Sequence, residues 1–144
     1  MKIAFALCIA AAAAVPTLVS AEEWHLFSKS AATGYLAEVT TIRKDGDTTI
    51  VTLARVPRRG LAASDLSHEV EEVAFRCEAR QMKTLSSTEM NAAGAKGESF
   101  PGDAEFEAVP ARGLRDDLRQ IACDNARVPE TFASVQAYIE AGRP

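Results

Sequence analysis

The chain has 144 residues, 16 of them basic and 20 acidic, for a net charge of −4, and 47 % of its residues are hydrophobic. A mildly acidic chain with no basic stripe argues against a nucleic-acid partner and offers no handle for anionic lipid. The size suits one ordinary domain, large enough to bury its own core.

Residues 1–21 read as a secretory signal peptide. Lys2 precedes an apolar run from Ile3 to Val15, and Val19-Ser20-Ala21 supplies the small residues for cleavage after Ala21. The run is short of the roughly 20 residues that a bilayer span needs, and Pro16 also favours cleavage over a membrane anchor. Cys8 follows the bulky Leu7 and lies too near the N-terminus for lipid attachment. The expected mature chain, residues 22–144, is a single domain with no transmembrane anchor, exported to the periplasm or secreted. It carries 15 basic and 20 acidic residues.

Cys77 and Cys123 are the cysteines left after processing, and the exported compartment is oxidising, so one intramolecular disulfide is expected. Closing a loop of that size is worth on the order of 4 kcal/mol in the chain-entropy model. The competing readings are a metal pair, which lacks a nearby histidine cluster, and two free thiols.

In chain order, Trp24 and Leu26 share a parity within a first strand over residues 22–30, and Ala31-Ala32-Thr33-Gly34 reads as a turn. Tyr35, Ala37 and Val39 share a face of a second strand, with Leu36 and Glu38 opposite. Asp45-Gly46 is a tight hairpin signal, because glycine takes the positive φ that such turns demand. Thr48–Val56 is rich in β-branched residues and predicts a third strand, central or covered on both sides, since its faces are not cleanly divided. Pro57-Arg58-Arg59-Gly60 breaks the pattern, and Arg55, Arg58 and Arg59 form a local basic cluster read as a solvated loop.

Val70–Leu85 follows, with Val73, Phe75, Cys77 and Ala79 on one parity and Glu72, Arg76, Glu78 and Arg80 on the other. Met82 is out of phase with that row. The segment is therefore either one long bent strand or two strands joined by a break near Arg80–Lys83. Residues 86–104 read as a surface loop with a short extended piece around Glu98–Phe100. Glu105–Val109 is a short strand candidate. Leu114, Leu118 and Ile121 recur at helical spacing, with Arg115, Asp116, Asp117 and Arg119 outside and Cys123 at the C-terminal end. Pro129–Ala141 reads as a last helix with Phe132, Val135 and Ile139 as its stripe and Gly142 as its stop.

Candidate chemistry is sparse. His25 and His68 stand far apart, and neither has a carboxylate or cysteine at ligand spacing, so both read as surface residues before haem or metal ligands. No G-x-S-x-G and no glycine-rich phosphate loop is present. Glu69, Glu71, Glu72, Asp116 and Asp117 read as solvating charges, because adjacent acids point to different faces. No catalytic residue, metal or cofactor is expected.

Trp24, Tyr35 with Ile42, Asp45-Gly46, Ile50-Val51-Thr52-Leu53, Cys77-Glu78-Ala79-Arg80, Phe106–Pro110, Leu114–Ala122 and Cys123 together form a pattern. It resembles that of the surface-adhesin protein E family of small exported bacterial proteins, over about residues 23–125. The late aromatic is Phe106 where that family usually has tryptophan, and Pro110-Ala111-Arg112-Gly113 stands where P-G-S is usual. The resemblance implies an antiparallel sheet packed on helix with the two cysteines bridged. For the member that gives the family its name it implies binding of host matrix proteins and of haem, in a surface lipoprotein.

The expected fold is α+β: an antiparallel sheet of about five to six strands packed against C-terminal helices, with one disulfide, Cys77–Cys123. The expected function is a non-enzymatic, envelope-associated binding protein for an unidentified protein or small ligand. A haem or small-ligand carrier using His25 or His68 is the alternative, and an inhibitor of an envelope enzyme stands behind both. Arg80 is the ligand-binding candidate of the Val70–Leu85 stretch, against the simpler reading of a structural salt bridge.

Overall fold

The computed structural model describes residues 21–59 and 61–144. But for Ala21, the expected signal peptide lies outside the described residues, as does Gly60. The chain folds as α+β: an eight-stranded antiparallel sheet with two short helices. Six longer strands form a meander in chain order. They are β1 (Trp24–Lys29), β2 (Thr33–Asp45), β3 (Thr48–Pro57), β4 (His68–Arg76), β5 (Gln81–Met90) and β6 (Lys96–Pro101). Two-residue strands complete the sheet: β7 (Glu107–Ala108) pairs with β5, and β8 (Thr131–Phe132) extends the β1 edge. The helices are α1 (Leu114–Cys123) and α2 (Val135–Glu140). Among the described residues no helix is long and apolar enough to cross a membrane.

Strand periodicity makes two cores. Ala37, Val51, Leu53, Val73, Phe75 and Met82 point to one face, where Leu118 and Ile121 of α1 cover them. Trp24, Leu26, Leu36, Ala54 and Val56 point to the other, beneath Val135, Tyr138 and Ile139 of α2. β3 feeds both cores, as its undivided faces predict. Full burial of a side chain such as Leu36, Val51 or Phe75 stabilises the fold by about 1.5–3 kcal/mol. The Asp45↔Thr48 hairpin turns where the sequence places it, with Gly46 at φ 60°.

The Val70–Leu85 stretch resolves into β4 and β5, the two-strand alternative. The Arg80 amide donates to the Cys77 carbonyl at 3.3 Å, and Arg80 itself takes a φ of 51°. This turn resets the phase, so Met82 pairs with Phe75 and falls on the core face. Cys77 accordingly opens a turn rather than occupying the middle of a strand. The disulfide to Cys123 is formed, with S–S 2.08 Å and Cα–Cα 5.7 Å, and it ties that turn to the last residue of α1.

Three expectations are corrected. The loop read over residues 86–104 contains the end of β5 and all of β6. Its polar residues still form a strand because β6 is an edge exposed along its whole length, where backbone pairing with β5 suffices without an apolar face. Asp116 and Arg119, expected outside α1, are buried at 7 % and 8 % exposure because they neutralise one another. The last helix is shorter than Pro129–Ala141. Thr131 and Phe132 pair with His25 and Trp24 instead, and helix starts only after Ser134, whose hydroxyl accepts from the Ala137 amide at 3.0 Å.

Candidate functional site

The β3–β4 register decides which charges meet. Leu53 lies opposite Glu71 and Arg55 opposite Glu69, so all four share the α1 face of the sheet. The Arg55 guanidinium reaches Glu71 Oε1 at 3.1 Å and Glu69 Oε2 at 3.4 Å. On β5 the Ser87 hydroxyl donates to the other Glu69 oxygen. Glu72 faces the opposite way and takes Arg43 at 2.8 Å, as strand geometry requires of adjacent acids.

α1 does not cover this whole face. Beside it runs a cleft of about 350 Å3 with Leu53, Val73 and Met82 in its floor and Leu114, Arg115 and Leu118 in its wall. Asp103 closes one end, accepting from the Thr84 amide at 3.0 Å. Arg55 also borders a second, shallower hollow of about 410 Å3, lined by His68, Glu69, Glu89 and Met90. Burial pushes the Glu71 carboxyl above its ordinary pKa of 4.5; the Arg55 hydrogen bond and charge oppose the rise, and Glu69 and Asp103 add to it. A strained acid beside an arginine, over apolar side chains, can recognise a polar group on an apolar body.

Of the sequence candidates, Arg80 and His25 lie away from the cleft, whereas His68 lines the hollow next to Arg55. Arg80 makes an ion pair: its Nη2 stands 2.7 Å from Asp116 Oδ1, the oxygen that also receives Arg119 Nε at 2.9 Å. The partner is the helix, not a neighbouring strand. The Arg119 hydrogen bond first, then Arg80, holds the Asp116 carboxyl below its ordinary value against the effect of desolvation. Arg80 is thus fastened beside the disulfide, on the same turn.

His25 is no surface residue. It is 2 % exposed, with Nε2 2.7 Å from Glu23 Oε1 and Nδ1 accepting from the Val128 amide at 3.2 Å. Both ring nitrogens are engaged, Nε2 with the sequence neighbour Glu23 and Nδ1 with the C-terminal segment at Val128. His68 is half-buried and its Nδ1 meets the Leu66 carbonyl at 2.7 Å. Desolvation lowers its pKa, against that hydrogen bond, which raises it. Strand register puts the two rings on opposite faces: His25 aligns through Ala37 and Leu53 with Glu71, whereas His68 shares the parity of Val70 and Glu72. They cannot ligate one iron between them.

Sequence reading missed Arg55, Glu69 and Glu71 as a unit. Proximity along the chain groups Arg55 with Arg58 and Arg59, but Arg58 turns away to the carbonyls of Ser30 and Arg143 at 2.6 and 3.2 Å. The available signal was parity, since Leu53, Arg55, Glu69, Glu71 and Val73 are all odd-numbered members of two paired strands. Among the described residues no group of three or more His, Cys, Asp or Glu side chains is placed to hold a metal ion. No protein-family model, curated protein or solved structure matches the chain.

Proposed function

We propose that this chain is an exported, non-enzymatic binding protein of the bacterial envelope, akin to the surface-adhesin protein E family it resembles, and that it binds through the cleft beside α1. One observation carries the reading: the sheet face that α1 leaves open holds the Arg55–Glu71 pair within an apolar surround of Leu53, Val73, Met82 and Leu118. The Arg55 guanidinium occupies both acids, and Glu69 takes the Ser87 hydroxyl as acceptor rather than freeing it as a nucleophile. Such an arrangement serves recognition better than proton transfer. Glu69, Glu71, Glu89 and Asp103 outnumber Arg55 and Arg115 around the cleft, so its field favours a cationic group on the protein or small molecule bound there. The haem-carrier alternative has no pair of histidines on one face; among the described residues only His68 keeps a ring nitrogen without a partner, since both nitrogens of His25 are engaged.

The test compares three disulfide-intact forms as bait on envelope extract: the mature protein and the rim variants Glu89→Lys and Arg115→Glu. A bound species weakened by Glu89→Lys and kept or strengthened by Arg115→Glu supports the cleft. A species held equally by all three places binding elsewhere on the surface. Turnover of a substrate by the purified protein would overturn the non-enzymatic reading.

A further inference from the structure

The opposite face of the sheet carries a further hollow of about 270 Å3, between β4, the β5–β6 connection and the first turn of α2. Trp24, Val70, Met90 and Ile139 give it an apolar lining. Most polar side chains around it are already committed. Glu22 takes the Trp24 indole N–H at 2.9 Å, Ser134 caps α2, and Gln136 donates to Glu140 at 2.7 Å.

His68 differs. The Leu66 carbonyl can only accept, so the ring proton sits on Nδ1 and Nε2 is left as a lone-pair acceptor. Among the described residues nothing donates to Nε2. Burial lowers the ring's pKa, against the Leu66 hydrogen bond, and so favours the neutral form that carries this acceptor. An enclosed apolar cavity of about 150 Å3 suffices for benzene, and this hollow, partly open to solvent, exceeds it by about 120 Å3.

We propose that this hollow binds a small uncharged phenol-like molecule, its ring against Trp24, Val70 and Ile139 and its hydroxyl donating to His68 Nε2. The site shares no residue with the floor and wall of the α1 cleft, although His68 and Met90 also border the shallower hollow next to Arg55.

The chain's single tryptophan lines the hollow and reports on it. The experiment titrates the mature protein with para-propylphenol and with its methyl ether, para-propylanisole, following Trp24 emission and amide NMR shifts. The phenol is expected to give a saturable change centred on Trp24, Val70, Met90 and Val135. The ether, which cannot donate, is expected to bind about five- to tenfold more weakly, the worth of one hydrogen bond. His68→Leu should bring the phenol down to the ether's affinity while leaving the ether unchanged, and Val70→Phe should fill the hollow and abolish both. Equal affinity of phenol and ether, an absence of saturable shifts, or binding that persists in a folded Val70→Phe protein would each overturn the proposal. Because the phenol–ether comparison uses the unaltered protein, it decides the matter even where a variant fails to fold.

Discussion

Arg80 Nη2 lies 2.7 Å from Asp116 Oδ1, and the residue that makes this contact holds a left-handed backbone, φ 51°. Two opposing effects therefore meet at one position. The half-exposed ion pair contributes about 1 kcal/mol or less, and the positive φ costs a side-chain-bearing residue about 1 kcal/mol relative to glycine. Arg80→Ala is expected to destabilise by roughly the ion pair's worth. Arg80→Gly loses the pair but sheds the strain and is expected to be near neutral. Urea denaturation of the two variants checks this; an Arg80→Gly protein less stable than Arg80→Ala would contradict it.

The disulfide joins this same turn to the end of α1, across a sequence separation of 46. Cys77→Ser with Cys123→Ser is expected to cost on the order of 4 kcal/mol, measured as a lower denaturation midpoint. Adding reductant to the unaltered protein should reproduce the loss, and adding it to the double variant should do nothing.

Gly34 and Tyr138 form a second tight relationship. A Cβ on Gly34 would come within 2.8 Å of Tyr138 Cζ and closer still to its oxygen, and Tyr138 is fully buried. Gly34→Ala is expected to destabilise by about 1–3 kcal/mol through overpacking. In a Tyr138→Leu background, where the ring is gone, the same change should cost measurably less. A double-mutant cycle gives the coupling directly, and strictly additive effects would sink the steric account.

The buried acids set the pH response. Burial raises the Glu38 pKa, but hydrogen bonds from Thr40, Thr41 and the Glu23 amide together outweigh it and hold the carboxyl below its ordinary 4.5. Asp116 is likewise depressed below 3.8, chiefly by the Arg119 hydrogen bond. A depressed acid stabilises the fold above its unfolded pKa and loses that contribution as pH falls through the folded value. Stability should therefore decline on acidification below about 4.5. Glu71 has the opposite sign: its raised pKa means that stability is lost as pH rises from 4.5 through the folded value. Relative to the unaltered protein, Glu71→Gln should gain stability steadily over that interval and change little outside it. Denaturation midpoints across pH test both signs, and a Glu71→Gln difference that is flat with pH would refute the second.

The cleft itself makes a spectroscopic prediction. Arg55 lowers the Glu71 pKa through its hydrogen bond and its charge. Arg55→Met should consequently move the Glu71 carboxyl titration, followed by carbon NMR, to higher pH. A midpoint that stays in place would mean that the pair seen at 3.1 Å is not held in solution.

The sequence by itself determined what depends on neighbours along the chain. Alternation marked β1 and β2, β-branched composition marked β3, Asp45-Gly46 marked the hairpin between β2 and β3, Leu114, Leu118 and Ile121 marked α1, and cysteine arithmetic paired Cys77 with Cys123. These features follow from a side-chain period, from one residue's allowed φ, or from a count, and none needs a distant partner. Only the tertiary structure decided the rest. Arg80 finds Asp116 because the disulfide turn and α1 converge, and Arg119 is buried because that same carboxylate neutralises it. His25 is interior because β8 returns to pair with β1. Arg55 meets Glu69 and Glu71 because burial of Val51, Leu53 and Val73 selects one β3–β4 register among those the backbone could form. A slip of one residue would turn these charges to the other face, so the chemistry of the cleft is set by the packing of the core beside it.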